Sequence, residues 1–306
     1  VATANCLLAA RINPYFVDVS LETLNLDSGS LIEKMNKTAI SASYHPEVRD
    51  IGIQFVTTMG KSSSVDRIAE IAEEHDLYLI IDQCESHGAT LHGKDVGRYA
   101  DASIYSFYAA HLIAGGEGGL ICTDDDEIAG LCRSIKSHGR PFGSIFFDFQ
   151  RPGFNSKWNE LCAAVALDGL ENFDENFQKR RNVRKRLYQM LISLDSRFEK
   201  FILYPDGPSE IIAPHAFPLV LKDPNGNIRL LYDYLDKSGI QCKTLFGSLP
   251  TQHAAFEFLG YKLGDFPVAE RIGRTGLHLP CNELMTDDDV IYIADRVREF
   301  YQQKNP

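Results

Sequence analysis

The chain has 306 residues, 44% of them hydrophobic and 24% charged, which is enough to bury one large core or two medium ones. Forty-two acidic against 31 basic side chains leave a formal charge of −11, which excludes a general nucleic-acid surface but not a local cationic patch for an anionic small molecule. No run of about 18 apolar residues and no signal peptide can be read, and seven scattered cysteines without CxxC spacing point to reduced, mostly buried thiols in a cytoplasmic protein.

In chain order, residues 16–19 read as a short strand, 31–35 as a helix and 51–56 as a strand ending near the turn Met59-Gly60. Val65, Ile68, Ile71 and Ala72 fall on one face of a helix over 65–75, with charges opposite. Residues 78–81 read as a fully buried strand that closes on Asp82. A strand over 103–107 delivers Ser106 and, five residues later, His111. The glycine run 115–119 follows, where φ > 0 and close backbone approach are available, and a second buried strand leaves it over 119–123. Alternating strands and helices imply a mainly parallel sheet covered on both faces. Such sheets bind ligands outside the carboxyl ends of their strands, where Asp82 and Ser106 fall. Each feature also has a plainer reading, since an Asp at a strand end can simply turn the chain and most glycine-rich turns are only turns. The two strand ends together say more than either alone.

Thr123 reads as the N-cap of a helix with Asp124, Asp125 and Asp126 in its first turn, and Ile128, Leu131, Cys132 and Ile135 as its buried stripe. The run Thr286-Asp287-Asp288-Asp289 repeats this capping pattern, which is favoured over a metal site. Asn155 is placed to cap a helix over 158–170 that continues through Leu161, Ala164, Val165 and Leu167. From about Phe173 a long helix leads into a second domain, and its basic run 179–186 reads as a solvated face, with contact to a nucleotide diphosphate as the second option. The predicted domains are therefore 1–172 and 173–306. In the second, 212–221 and 240–245 read as strands, 228–235 as a helix stopped by Gly239, and 290–301 as the last helix.

The blocks Ile80-Ile81-Asp82, His87-Gly88-Ala89, Ser106-Phe107-Tyr108 and Gly116-Glu117-Gly118-Gly119 resemble the DegT/DnrJ/StrS family of vitamin B6-dependent sugar aminotransferases and dehydratases. The likeness extends from Ala4-Asn5 and residues 14–19 to residues 276–280. It implies an α/β, aspartate-aminotransferase-like fold (PLP fold type I): a mainly parallel central sheet with helices on both faces, plus a smaller α+β C-terminal domain. It further implies pyridoxal 5′-phosphate or pyridoxamine 5′-phosphate (PLP or PMP) as coenzyme, a nucleotide-sugar substrate, and an amino donor such as glutamate. A homodimer with shared active sites is implied as well, the helix after 158 packing at its interface and Asn155 reaching the neighbouring subunit's coenzyme phosphate. Residues 1–6 match the interior of a family βα unit, so an N-terminally shortened sequence, lacking an upstream phosphate loop and a stacking aromatic, is expected.

One position departs from the family's aminotransferases. They place at 111 the lysine that holds the coenzyme covalently, whereas this chain has His111. Imidazole cannot make that bond, so the resemblance implies a coenzyme held non-covalently and a histidine left free as acid and base. That exchange, and Glu85 where aminotransferases usually carry Gln, resembles the family's sugar 3-dehydratases, although Leu112 stands where those carry a second histidine. No cysteine lies between residues 137 and 155, so no iron-sulfur cluster is expected. The implied roles are Asp82 against the pyridine nitrogen, Ser106 on the phosphate, and His111 as the group that moves a proton and assists loss of the sugar 3-hydroxyl. Glu85 either meets the ring hydroxyl or orients His111. His87 is either near the coenzyme or a satisfied structural histidine, and His138 and His278 have no role. The expected activity is 3-dehydration of a nucleotide-activated 4-keto-6-deoxyhexose in deoxysugar and O-antigen synthesis. A sugar aminotransferase and a non-catalytic, regulatory protein of the same fold are the rivals.

Overall fold

The computed structural model describes residues 1–38, 51–193, 200–246 and 249–303. In the first half, α1 (Ala2–Ala9) and α2 (Ser28–Lys37) precede β1 (Gly52–Val56), α3 (Val65–Glu74), β2 (Tyr78–Asp82), the short pair β3 (Thr90–Leu91) and β4 (Lys94–Asp95), β5 (Ala102–Ser106) and β6 (Gly119–Cys122). The main sheet has the order β1-β2-β5-β6, parallel except for β6. Its core is what the spacing predicts: Val65, Ile68 and Ile71 of α3 are fully buried and cluster with Phe55, Leu79 and Ile81. Each such side chain contributes about 1.5–3 kcal/mol by leaving water, so this interface holds the strand ends in place.

Three expectations for this half need correction. Residues 16–19 form no strand beyond a single Val19–Leu26 bridge. The Asp18 carboxylate instead accepts the N–H groups of Val268 and Ala269, both at 2.9 Å, and Phe16 packs edge-on against Tyr261 and Phe266. Second, β2 alternates rather than being buried throughout, because Tyr78 and Ile80 stay partly accessible opposite the α3 side. Third, β6 is not buried at all. It pairs only with β5, at the sheet edge, and Leu120 and Ile121 are about half exposed. Of the seven cysteines, all free, only Cys242 and Cys281 are buried.

The second half contains α4 (Asp126–Ile135), α5 (Glu160–Glu171), α6 (Phe173–Ser193), β7 (Phe201–Leu203), β8 (Glu210–Ile211), β9 (Phe217–Leu221), α7 (Arg229–Lys237), β10 (Lys243–Thr244), α8 (Pro267–Thr275), β11 (Gly276–Leu279) and α9 (Asp287–Gln303). Strands in the order β10-β11-β9-β7 form an antiparallel sheet. Val183, Leu187 and Leu191 of α6 share its core with Leu231, Leu235 and Val297. The N-cap of α4 is Asp125, which accepts from the Ile128 N–H, while Thr123 donates to the Asp101 carbonyl. Asn159, not Asn155, caps α5. The α4 stripe is also more open than its pattern implies, Leu131 and Ile135 being exposed. The reciprocal cap at Thr286 and Asp289 forms as read.

The basic run on α6 is not a solvated face. Arg180 donates Nε–H to Glu283 at 2.6 Å, and Arg184 lies against Asp206 and the Tyr204 carbonyl, both arginines being buried. Lys179 and Lys185 take the solvent side. The chain also crosses back: β8 pairs with β3, forming a small sheet β4-β3-β8, and the Ala213 N–H donates to the Gly60 carbonyl at 3.1 Å. Gly60 makes that closure possible. Its φ is +78°, and a Cβ there would lie 1.6 Å from the Ala213 carbonyl oxygen.

Candidate active site

Asp82 and Ser106 lie at the carboxyl ends of neighbouring strands β2 and β5, as the sequence predicts. The Asp82 carboxylate is oriented from two sides: Thr3 on α1 donates its hydroxyl at 2.9 Å, and the Cys84 N–H donates at 3.1 Å. Behind it, Thr57 donates both its N–H and its hydroxyl to the Asp82 carbonyl. Ser106 Oγ accepts the Tyr108 N–H at 3.2 Å, closing the turn that leads to His111. The His111 N–H bonds back to the Tyr108 carbonyl at 2.9 Å, which places the imidazole over the strand ends.

A small chamber of about 10 Å³, room for about one water, is lined by Cys84, Glu85, His87, His111, Leu112, Arg180 and the segment 213–215. Glu85 accepts the Met59 N–H at 2.7 Å, and Met59 sits in the left-handed region (φ 56°), a conformation that costs a non-glycine residue energy and is held only by its surroundings. Burial pushes the Glu85 carboxyl above its ordinary range. Four imidazoles run through the site as a row, His87, His111, His215 and His278, with ring centres 6.1, 5.4 and 6.5 Å apart. Burial lowers all four to about 4, each further lowered by a neighbouring cation or imidazole. They are therefore neutral near pH 7 and able to accept protons. Burial pushes the Cys84 thiol up, so it is no nucleophile.

The polar inventory here is unusual. Both ring nitrogens of His87, Nδ1 of His111 and Oε1 of Gln83 are buried without a hydrogen-bond partner among the described residues. Unpartnered buried polar atoms are costly and are kept where a ligand or reaction uses them. Aligned strand ends, an oriented carboxylate, the Ser106 hydroxyl and these open nitrogens match what a polar, protonatable coenzyme such as PLP requires.

Asn155 does not line the chamber. It is exposed, paired by backbone to Ser137, with its Oδ1 beside the Lys157 ammonium. The glycine run is occupied by a residue that sequence reasoning missed. Trp158 stacks on Phe107 with ring centres 4.8 Å apart and donates its indole N–H to the Glu117 carbonyl at 2.7 Å. At Gly118, with φ +140°, any Cβ would meet that indole at 2.3 Å. Thr3, Arg180, His215 and His278 were missed too. Their only local signal was residue type, and 79 to 196 residues of chain separate them from Asp82.

A profile of the DegT/DnrJ/EryC1/StrS aminotransferase family matches residues 1–298. The chain belongs to that family. Similar proteins include a dTDP-4-dehydro-2,6-dideoxy-D-glucose 3-dehydratase of Saccharopolyspora spinosa, 28% identical over 97% of this chain and 67% of that one. A GDP-perosamine synthase of Caulobacter vibrioides is 29% identical over 95% of this chain and 74% of its own length. An aminotransferase of the family from Brucella abortus superposes with a TM-score of 0.86 at 24% identity, over 98% of this chain and 76% of that one, and so shares the fold. Members of the DegT/DnrJ/EryC1/StrS family are PLP-dependent sugar aminotransferases or dehydratases of nucleotide-sugar synthesis, and this chain is an enzyme of that kind. Among the described residues no helix is long and apolar enough to cross a membrane.

Proposed function

We propose that this enzyme removes the 3-hydroxyl of a nucleotide-activated 4-keto-6-deoxyhexose, with His111 moving the proton. The observation that carries the reading is the chamber itself: His111 stands where the resemblance puts the coenzyme-binding lysine, and none of the described residues lining the chamber is a lysine. The lysine at position 61, which the first half of the chain also buries, is spent on Glu210. The coenzyme would then be held non-covalently, as PMP, with Asp82 at its ring nitrogen and Ser106 at its phosphate. When bound it supplies an electron sink for the bond broken beside it.

The chain's own residues supply the rest. Asp82, fixed by Thr3 and the Cys84 N–H, keeps the ring nitrogen protonated. Neutral His111 takes a proton at an imidazole nitrogen, becoming cationic next to Glu85, whose charge favours that form. It then gives the same proton to the departing 3-hydroxyl, which leaves as water, so the histidine ends neutral. Residues 1–172 would bind the coenzyme and 173–306 would form the smaller domain. The exposed apolar side chains Leu161 (82% exposed), Val165 and Leu167 of α5 support a homodimer in which Asn155 serves the neighbouring site.

The test is mass spectrometry of products from a panel of 4-keto nucleotide sugars with glutamate as donor. A 3-deoxy sugar with release of ammonia supports dehydration. An amino sugar rejects it and favours the second reading, transamination, to which the likeness to GDP-perosamine synthase lends support. His111→Asn is expected to lower dehydration by about 10²–10⁴-fold with coenzyme still bound, and retained turnover would reject the role of His111.

A further inference from the structure

His215 reaches the chamber from the opposite half of the chain. Its ring centre lies 5.4 Å from that of His111, and its Nε2 lies 3.9 Å from Glu85 Oε1, too long for a direct hydrogen bond. His215 and Glu85 both line the chamber, which has room for about one water. Glu85 is held on its other oxygen by Met59, so Oε1 is the oxygen turned toward His215. The segment 213–215 is locked against the Met59-Gly60 turn by the Ala213–Gly60 hydrogen bond and by the close approach that only glycine allows. The same turn therefore fixes Glu85 from one side and His215 from the other.

We propose that His215 is a positioning residue that works through His111 and Glu85, so that the C-terminal half of the chain takes part in proton transfer at the site. The inference rests on His111 being the proton carrier. Among the described residues His111 is held by its backbone hydrogen bond and ring contacts, and its Nδ1 has no hydrogen-bond partner. The His215 ring stands beside that of His111 and, by facing Glu85 Oε1, holds toward the site a carboxylate whose charge balances the cation formed when His111 accepts a proton. The other charged or titratable groups that face this pair are Asp82 and Cys84 after β2, His87, Arg180 on α6 with its partner Glu283, Lys243 on β10 and His278 on β11. Arg180 and Lys243 both act against protonation of His215, so it remains neutral while His111 cycles.

The experiment uses the full chain loaded with coenzyme and compares the wild type with His215→Phe, which keeps a ring and loses both nitrogens, and His215→Gln, which keeps a polar group. Proton NMR follows the titration of His111 without substrate, and steady-state kinetics follow kcat and KM. In His215→Phe the His111 midpoint should fall by more than about half a pH unit, since the Glu85 carboxylate that balances its cation is no longer held toward it. The kcat should fall about tenfold or more with KM changed less than about twofold, and His215→Gln should recover part of it. An unchanged His111 midpoint and unchanged kcat overturn the proposal, as does a loss of kcat that merely follows a lowered melting temperature. Should the Phe variant not fold, the Gln variant decides alone: a shifted midpoint supports, an unshifted one overturns. An aminated product from the wild type would reject dehydration but leaves the His111 titration as an independent reading of His215.

Discussion

Two buried polar clusters sit on either side of one short segment, residues 57–63, and they are built on opposite rules. On one side Glu210 accepts the Lys61 ammonium at 3.1 Å, the N–H groups of Ser62 and Ser63 at 2.7 and 2.9 Å and the Ser63 hydroxyl at 2.8 Å, with Lys61 and Glu210 side chains only 4% and 2% exposed. Asn25 ties down the same stretch through the Lys61 and Ser63 carbonyls and the Thr58 N–H. On the other side Met59 gives one hydrogen bond to Glu85, and beyond it lie imidazole nitrogens with none. A saturated network rigidifies, whereas an unsaturated one costs stability and leaves capacity for a ligand or a proton. The segment between them is thus anchored on its structural side in order to hold a strained residue on its chemical side.

Acid should separate the two clusters most strongly. The four chamber histidines sit at about 4 in the folded protein, against an ordinary value of about 6.5. As pH falls the unfolded chain therefore takes up protons first. Stability should be complete above about 6.5 and drain away toward about 4, by several kcal/mol in all. Glu210 is held below its ordinary value by Lys61 and its hydrogen bonds, although burial alone would raise it. Its contribution is lost only at lower pH, as the carboxylate protonates. Denaturant unfolding at pH 7 and pH 5 measures this, and a flat profile over that range would break the contrast.

Next in size is Glu210→Ala, which strands the Lys61 charge and the donors around it. The expected cost is about 3–5 kcal/mol of unfolding free energy, with the activity per folded molecule nearly unchanged. The smallest effect on stability belongs to Glu85→Gln, a change of nearly equal shape that keeps the Met59 hydrogen bond. It should leave the melting temperature within a degree or two yet reduce kcat by about 10–100-fold, most visibly on the acidic limb of the pH profile. If Glu85→Gln instead unfolds the protein while Glu210→Ala silences a folded one, the assignment of the two clusters is reversed.

Much of the first half was legible from residue patterns. The stripe Val65, Ile68, Ile71 and Ala72 forms α3 and is buried, β2 has the predicted bounds up to Asp82, and Ser106 and His111 follow β5 as read. What misled was exposure. Leu120, Ile121, Leu131 and Leu161 have the composition of core residues, but β6 is an edge strand and Leu161, Val165 and Leu167 of α5 stay exposed among the described residues. Arg180 and Arg184 misled in the other direction, since their partners Glu283 and Asp206 lie 103 residues and 22 residues away along the chain.

By itself the sequence determined where β1 and β2 end, which acid stands at the end of β2 and that an imidazole occupies position 111, because hydrogen-bonding periodicity and side-chain alternation act over a few residues. Only the tertiary structure decided that His87, His111, His215 and His278 form a row, that Thr3 orients Asp82, and that Gly60 lets the 213–215 segment close over Glu85. Those contacts join residues from distant parts of the chain, and their burial, which sets the proton affinity of each group, depends on everything packed around them.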